Sequence, residues 1–454
     1  MNNLFEFSSL FLTQLSSTYA QAAIWLEEGK DKQIATFDLV VRDMPKNRNY
    51  MVCGGLEELV NYLTNLRYSE EQIQILIDGN LITKKFADYL RKFRFTGDVS
   101  AMPEGTIFFP GEPIIRITAP LIEASVIETV IFGITVSNVL FMSKAARIST
   151  ISKDIVLGMQ RSQSFESGMK GLRSGYICGL HINAWPEFIR KYKIPQQENY
   201  LVLGQHFFIK SFTEELTAFR KMVHYFPDNG AFMVDTYDIK QGIKNAIIVA
   251  KELQKKGGNL NYIGIDSGDL GKLSFVAKKM LDKNGLHNVK IMVATNLDEY
   301  KVKKLLADKA PIDSFVIATE YATMSDSPSL EVVYKVAEIR DGKNIHYTAK
   351  LTPGKQSYPG RKQVFRKYKN NKIAYDIVGL ENENYGSPLL KKVLTKGKLV
   401  KKLPSLDEIR KYFNKQLSTI PEKLLDIDKQ HPYRVDISKK LEQLLDQVKK
   451  EHLK

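Results

Sequence analysis

Cysteine is scarce in this chain: Cys53 and Cys178 are the only two among 454 residues. They lie far apart and form no repeated Cys-x-x-Cys spacing, so neither a disulfide scaffold nor a cysteine-built zinc site is expected. Both read as buried thiols in a reducing compartment. No apolar run approaches the roughly eighteen residues of a membrane span. The Met1-Asn2-Asn3 start lacks the basic segment, apolar core and cleavage site of an export signal. Secretion and membrane partners are therefore not expected, and a cytoplasmic location is. Also missing are a phosphate loop ending in Gly-Lys-Ser/Thr, a Gly-x-Gly-x-x-Gly after a strand, and a His-Glu-x-x-His. Those gaps weigh against the standard ATPase, Rossmann and zinc-protease readings.

Apolar residues and lysine are plentiful. Hydrophobic residues make up 43% of the chain, enough for a large core, and the length exceeds one ordinary domain. Two or three lobes are expected. The net charge of +15 suits nucleic acid, an anionic surface or phosphorylated small ligands. Much of the excess is scattered late, as in Lys391, Lys392, Lys396, Lys398, Lys401 and Lys402, with no nucleic-acid module beside it. A solvated surface is the favoured reading, with small molecules rather than nucleic acid as partners.

Patterning divides the chain at about residues 130 and 345. Residues 1–130 mix helical periodicity with short extended runs, and Pro103-Glu104-Gly105 marks a turn before Ile107-Phe108-Phe109. This reads as an N-terminal α+β lobe. Within 131–345, four apolar runs end in polar residues and lead into helical patterns. Phe232-Met233-Val234 meets Asp235-Thr236-Tyr237-Asp238, and Tyr262-Ile263-Gly264-Ile265 meets Asp266-Ser267-Gly268-Asp269. Val289 to Ala294 meets Thr295-Asn296, and Phe315-Val316-Ile317-Ala318 meets Thr319-Glu320. Such runs suit strands buried on both faces of a parallel sheet, whose carboxyl ends gather on one side. Asp235, Asp266, Asn296 and Thr319 are thus expected on adjacent strand ends around one cavity, in an α/β barrel or an open doubly wound sheet. Residues 346–454 form a smaller Lys-rich part with helices at about 405–417 and 436–450. Ile437, Leu441, Leu444, Leu445 and Val448 make a packing stripe on the second.

Taken alone, the motifs carry modest weight. Asp266-Ser267-Gly268-Asp269 between a strand and a helix suits phosphate at free amides, and hydroxyls or magnesium at carboxylates. It suits helix capping equally well. Asp235 and Asp238 repeat the arrangement. His206, in an apolar stretch, reads by itself as a hydrogen-bonded core histidine.

Many more stretches fall in a consistent order. They include Phe37-Asp38-Leu39 with Arg42 and Pro45, Gly55-Leu56-Glu57-Glu58, Phe93 to Val99, Phe109 to Pro113 and Lys144-Ala145-Ala146-Arg147. Later come Asp228, Asp235 to Asp238, Asp266 to Leu270, Leu297 to Tyr300, Ala310 to Asp313, Pro359 to Gln363 and His431-Pro432-Tyr433. Together they resemble the nicotinate phosphoribosyltransferases along nearly the whole chain. The resemblance implies an irregular α/β barrel with an N-terminal α+β lobe and a smaller C-terminal part, assembled as a homodimer. It implies transfer of a phosphoribosyl group from phosphoribosyl pyrophosphate to nicotinate in NAD salvage, a ligation driven by ATP hydrolysis with Mg2+ accompanying both phosphorylated substrates. By motif match, His206 is the residue phosphorylated by ATP. Arg161 and Arg173 contact phosphate or the pyridine carboxylate, while Asp235, Asp266, Ser267 and Asp269 face ribose hydroxyls or magnesium. Thr319 matches the phosphate-binding threonine.

Several positions depart from that pattern. Ser16 or a neighbour stands where a tyrosine is expected, and Leu203 where a threonine precedes the histidine. Gly264 replaces an arginine suited to the nicotinate carboxylate, Ile182 to Trp185 replace Gly-Thr-Ser-Asn, and Val316 and Ala318 replace glycines. These departures leave open a binding or dimer-partner protein, and a transferase for another pyridine base.

Overall fold

The computed structural model describes residues 14–182, 185–194 and 202–453. The chain forms two compact units, Met1–Ser143 with Ser327–Lys454, and Lys144–Asp326.

The first unit is built on a seven-stranded antiparallel sheet. Its order is Asn344–Tyr347, Val332–Asp341, Ile34–Val41, Pro113–Pro120, Asp98–Ala101, Lys391–Thr395 and Lys398–Leu399. Ile34–Val41 lies inside the sheet, and Phe37 stacks on Tyr334 of the adjoining strand at 4.6 Å. Leu59, Val60, Tyr62 and Leu63 of helix Leu56–Asn65 are buried in the same core. Polar caps fix where neighbouring helices begin. Ser69 and Gln72 form a reciprocal capping box, and the Thr83 hydroxyl accepts from the Phe86 amide. Each such cap contributes about 1 kcal/mol. A second sheet orders Ser387–Pro388, Lys362–Lys369, Lys372–Leu380 and Val435–Ile437. Helix Lys439–His452 buries Leu441, Leu445 and Val448, the packing face expected of its stripe. Ile437, expected in that helix, instead ends a strand, because Ser438 takes the capping position and accepts from the Leu441 amide.

The second unit holds six parallel strands in a curled half-barrel sheet. Their order is Ile155–Leu157, Ser314–Ile317, Lys290–Val293, Tyr262–Ile265, Gly230–Met233 and Val202–Gly204. Helices follow the successive strands, and an aspartate caps three of them. Asp238, Asp269 and Asp298 each accept a hydrogen bond from the amide three residues on, starting Ile239–Gln254, Leu270–Lys283 and Glu299–Ala307. The first of these helices buries Ile243, Ala246, Ile247, Val249, Ala250 and Leu253. Each large side chain among them contributes roughly 1.5–3 kcal/mol of apolar burial. Gly242 sets how closely this helix approaches its strand, since a Cβ there would fall 2.0 Å from the Val234 carbonyl oxygen.

Cys53 and Cys178 are both buried and are not joined in a disulfide. Among the described residues one helical stretch, Leu121–Ser149, is long and apolar enough to cross a membrane, and 67% of its most apolar window is buried in the fold.

Candidate active site

Asp235, Asp266, Asn296 and Thr319 follow the carboxyl ends of four adjacent parallel strands. Asp235 and Asp266 are close neighbours. The Asp235 Oδ2 accepts from the Asp266 amide at 2.8 Å and from the Ser267 hydroxyl at 2.6 Å. Its Oδ1 is buried and has no hydrogen-bond partner. A buried carboxylate oxygen left without a donor costs free energy, so it suits a cation or hydroxyl delivered from outside.

His206 reaches the same point from the first position of helix His206–Lys210, just beyond the edge strand Val202–Gly204. Its Nδ1 lies 3.0 Å from the Thr236 Oγ1, and its Nε2 lies 3.8 Å from Asp266 Oδ2. The imidazole is 36% exposed, which leaves one edge open to a ligand. Burial, and then the neighbouring Asp235, pushes the Asp266 carboxyl above its ordinary value, against the opposing pull of His206 and Arg161. Arg161 is exposed and donates from Nη1 to the Thr319 hydroxyl at 2.9 Å. Arg161 thus bonds Thr319 and pulls electrostatically on Asp266, which neighbours His206, Asp235 and Ser267.

The remaining expected residues sit differently. Asp269 caps its helix and pairs with Lys272 at 3.1 Å, so its carboxylate is engaged in the capping that competed with the ligand reading. Arg173 is buried in helix Phe165–Ile177. Asn296 is exposed, and its carbonyl accepts from the Lys301 ammonium. Among the departures, Asn183 and Ala184 lie outside the described residues. Gly264 is buried, and a Cβ there would meet Met233 Sδ at 2.5 Å, so an arginine needs Met233 to move.

Sequence reasoning missed Thr236, which orients the histidine, and the backbone at Thr295 and Asn296. Both of those residues have positive φ, 73° and 44°. A β-branched residue in that region is strained and persists only where its surroundings hold it. The signal available beforehand was their place in a strand-to-helix turn beside the other site residues. Among the described residues no group of three or more His, Cys, Asp or Glu is placed to hold a metal ion.

A parallel sheet with carboxylates, a histidine and an arginine gathered at its carboxyl edge is the arrangement of an α/β enzyme that binds an anionic, hydroxyl-rich ligand. Family models agree with the sequence at both ends of the chain. Residues 13–135 match the nicotinate phosphoribosyltransferase (NAPRTase) N-terminal domain, and residues 383–445 match the nicotinate phosphoribosyltransferase C-terminal domain. The chain is 32% identical over 439 residues to the nicotinate phosphoribosyltransferase pncB2 of Mycobacterium tuberculosis, covering 95% of this chain and 92% of that one. Identity to the nicotinate phosphoribosyltransferase of Bacillus subtilis is also 32%, with the same coverage. The crystal structure of human nicotinic acid phosphoribosyltransferase superposes with a TM-score of 0.82 at 22% identity, covering 96% of this chain and 99% of that one. The chain belongs to the nicotinate phosphoribosyltransferase family.

Proposed function

We propose that this protein transfers the phosphoribosyl group of phosphoribosyl pyrophosphate to nicotinate, with ATP hydrolysis as the driving step, and so supplies nicotinate mononucleotide to NAD salvage. The full-length relationship to two enzymes of that name carries the reading, and the chemistry of the sheet edge supports it. As pyrophosphate leaves the ribose carbon, positive charge grows on the sugar and negative charge on the leaving group. Asp235 and Asp266 suit the first, and Arg161 with the Thr319 hydroxyl suits the second. Arg173 and Ser267 belong to the same proposal as phosphate and hydroxyl contacts.

In the tautomer whose Nδ1–H donates to the Thr236 hydroxyl, 3.0 Å away, His206 presents an Nε2 lone pair to the γ-phosphorus of ATP. The Nε2–P bond forms as the bond to the ADP oxygen breaks, and water later takes the phosphoryl group. Magnesium fits the Asp235 and Asp266 carboxylates, because Asp235 Oδ1 is buried without a partner. The ion would bring polyphosphate oxygens and water as its other ligands and neutralise charge on the leaving group. A cytoplasmic homodimer is part of the same reading.

The alternatives, a non-catalytic partner protein and a transferase for another pyridine, are not favoured by relatives that match along the whole chain. One assay decides among the three: purified protein with phosphoribosyl pyrophosphate, with and without ATP, against nicotinate, nicotinamide and quinolinate. Nicotinate mononucleotide whose yield rises with ATP is the expected product. Product from another base alone overturns the base, and none at all overturns the transfer.

A further inference from the structure

Lys144 lies in the helix Glu128–Ser149, and only 2% of its side chain is exposed. Its ammonium is 2.8 Å from Glu299 Oε2, 3.0 Å from Glu299 Oε1 and 2.9 Å from Asp326 Oδ1. The Arg147 Nε donates to the same Glu299 at 2.8 Å, and Arg147 also bonds the Tyr300 hydroxyl. Burial pushes the Glu299 carboxyl up, but Lys144 and its hydrogen bond pull it back further, so it stays below the usual range and charged. Two cations thus face two carboxylates in a nearly dry setting. Such a cluster is seldom more stabilising than apolar packing of the same volume, and its best-attested use is to fix one geometry among several.

The two carboxylates belong to two different connections at the sheet's carboxyl edge. Glu299 begins the helix after the strained Thr295-Asn296 turn. Asp326 closes the short segment that starts at Thr319, where Thr323 donates back to the Thr319 carbonyl at 2.7 Å. We propose that Lys144 is a positioning residue for the transfer site, its one ammonium holding the Thr295–Asp298 turn and the Thr319–Asp326 segment in register with each other. The proposal rests on the transferase reading above for its kinetic consequence, though not for its structural one. Displacing a phosphate-facing hydroxyl by about 1 Å weakens productive engagement of phosphoribosyl pyrophosphate and lowers kcat/KM of a correctly folded enzyme by as much as roughly 100-fold.

The test compares K144M, K144R and D326N with the parent protein. Steady-state kinetics in each substrate are run beside hydrogen exchange of peptides covering 294–298, 319–326 and, as an internal reference, 262–265. D326N leaves the Lys144–Glu299 pair in place and so remains informative where K144M fails to fold. K144M and D326N are expected to raise KM for phosphoribosyl pyrophosphate about ten-fold, leave KM for nicotinate within about two-fold, and speed exchange in both connections but not in the reference strand. K144R is expected to recover part of each loss. A folded D326N with parental KM and parental exchange overturns the proposal, as does a loss that merely follows the folded fraction. Should the parent protein transfer nothing, the transferase reading fails, and the exchange pattern alone decides the role of Lys144.

Discussion

An acid–base pair and a pair of aspartates show how differently the units use charge. In the first unit Asp376 is fully buried and bonded by Arg366 through Nε at 2.9 Å and Nη2 at 2.6 Å, with the guanidinium also lying over the Phe109 ring. In the second, Asp235 and Asp266 stand side by side, half-exposed, with one buried oxygen lacking any donor. In the first, the Asp376 carboxylate is matched by a guanidinium of the same unit. In the second, Asp235 Oδ1 has no donor among its neighbours. The first pattern is that of a structural ion pair, and the second is the one expected of a binding site.

The sharpest test of this contrast removes the cation from the closed pair. R366M leaves Asp376 buried and unpaired beside Glu112, whose carboxyl is already pushed up by burial and by Asp376. The loss of stability is expected to be about 3–5 kcal/mol, read as a fall in the urea midpoint. His206 should behave in the opposite manner. H206A is expected to cut ATP-stimulated transfer by about 10²–10⁴-fold and abolish acid-labile label from ATP, while shifting the urea midpoint little. Equal labelling and turnover in H206A and parent would return this histidine to a packing role.

A smaller effect probes the scaffold beneath the open pair. G242A places a methyl against the Val234 carbonyl and is expected to destabilise by about 1–3 kcal/mol, with transfer by the folded fraction reduced because Asp235 follows Val234 directly. The smallest effect concerns pH. The Asp266 carboxyl is raised in the folded chain, so its share of stability is full below the ordinary Asp value and is lost as pH rises through the folded one. D266N should therefore melt slightly higher than the parent at pH 7, the difference closing at acid pH, while transfer falls. A D266N protein that melts lower at neutral pH would place Asp266 with the closed pairs.

The four strands from Gly230 to Ile317 were legible because each apolar run stops at a polar residue and a helical pattern follows. The flanking strands Ile155–Leu157 and Val202–Gly204 have three residues each, too few for periodicity to register. Aspartates were legible as a class but not individually. Asp235 and Asp238 follow the same strand, yet one meets the Asp266 amide and the other caps a helix, and only the course of the turn separates them. The His206–Thr236 contact joins neighbouring strands 30 positions apart. The Lys144–Glu299 bond spans 155, and no local pattern encodes either.

The second unit interrupts the first within the chain, and this has a bearing on synthesis. Thr36 and Glu338 meet in neighbouring strands although 302 positions separate them. At about 5–20 residues per second, the ribosome needs roughly 15–60 s to deliver the partner of a strand already made. All of Lys144–Asp326 emerges during that wait. The parallel sheet can close while Ile34–Val41 still shows one unpaired edge, so the nascent N-terminal lobe is exposed to edge-to-edge association just as the second unit matures.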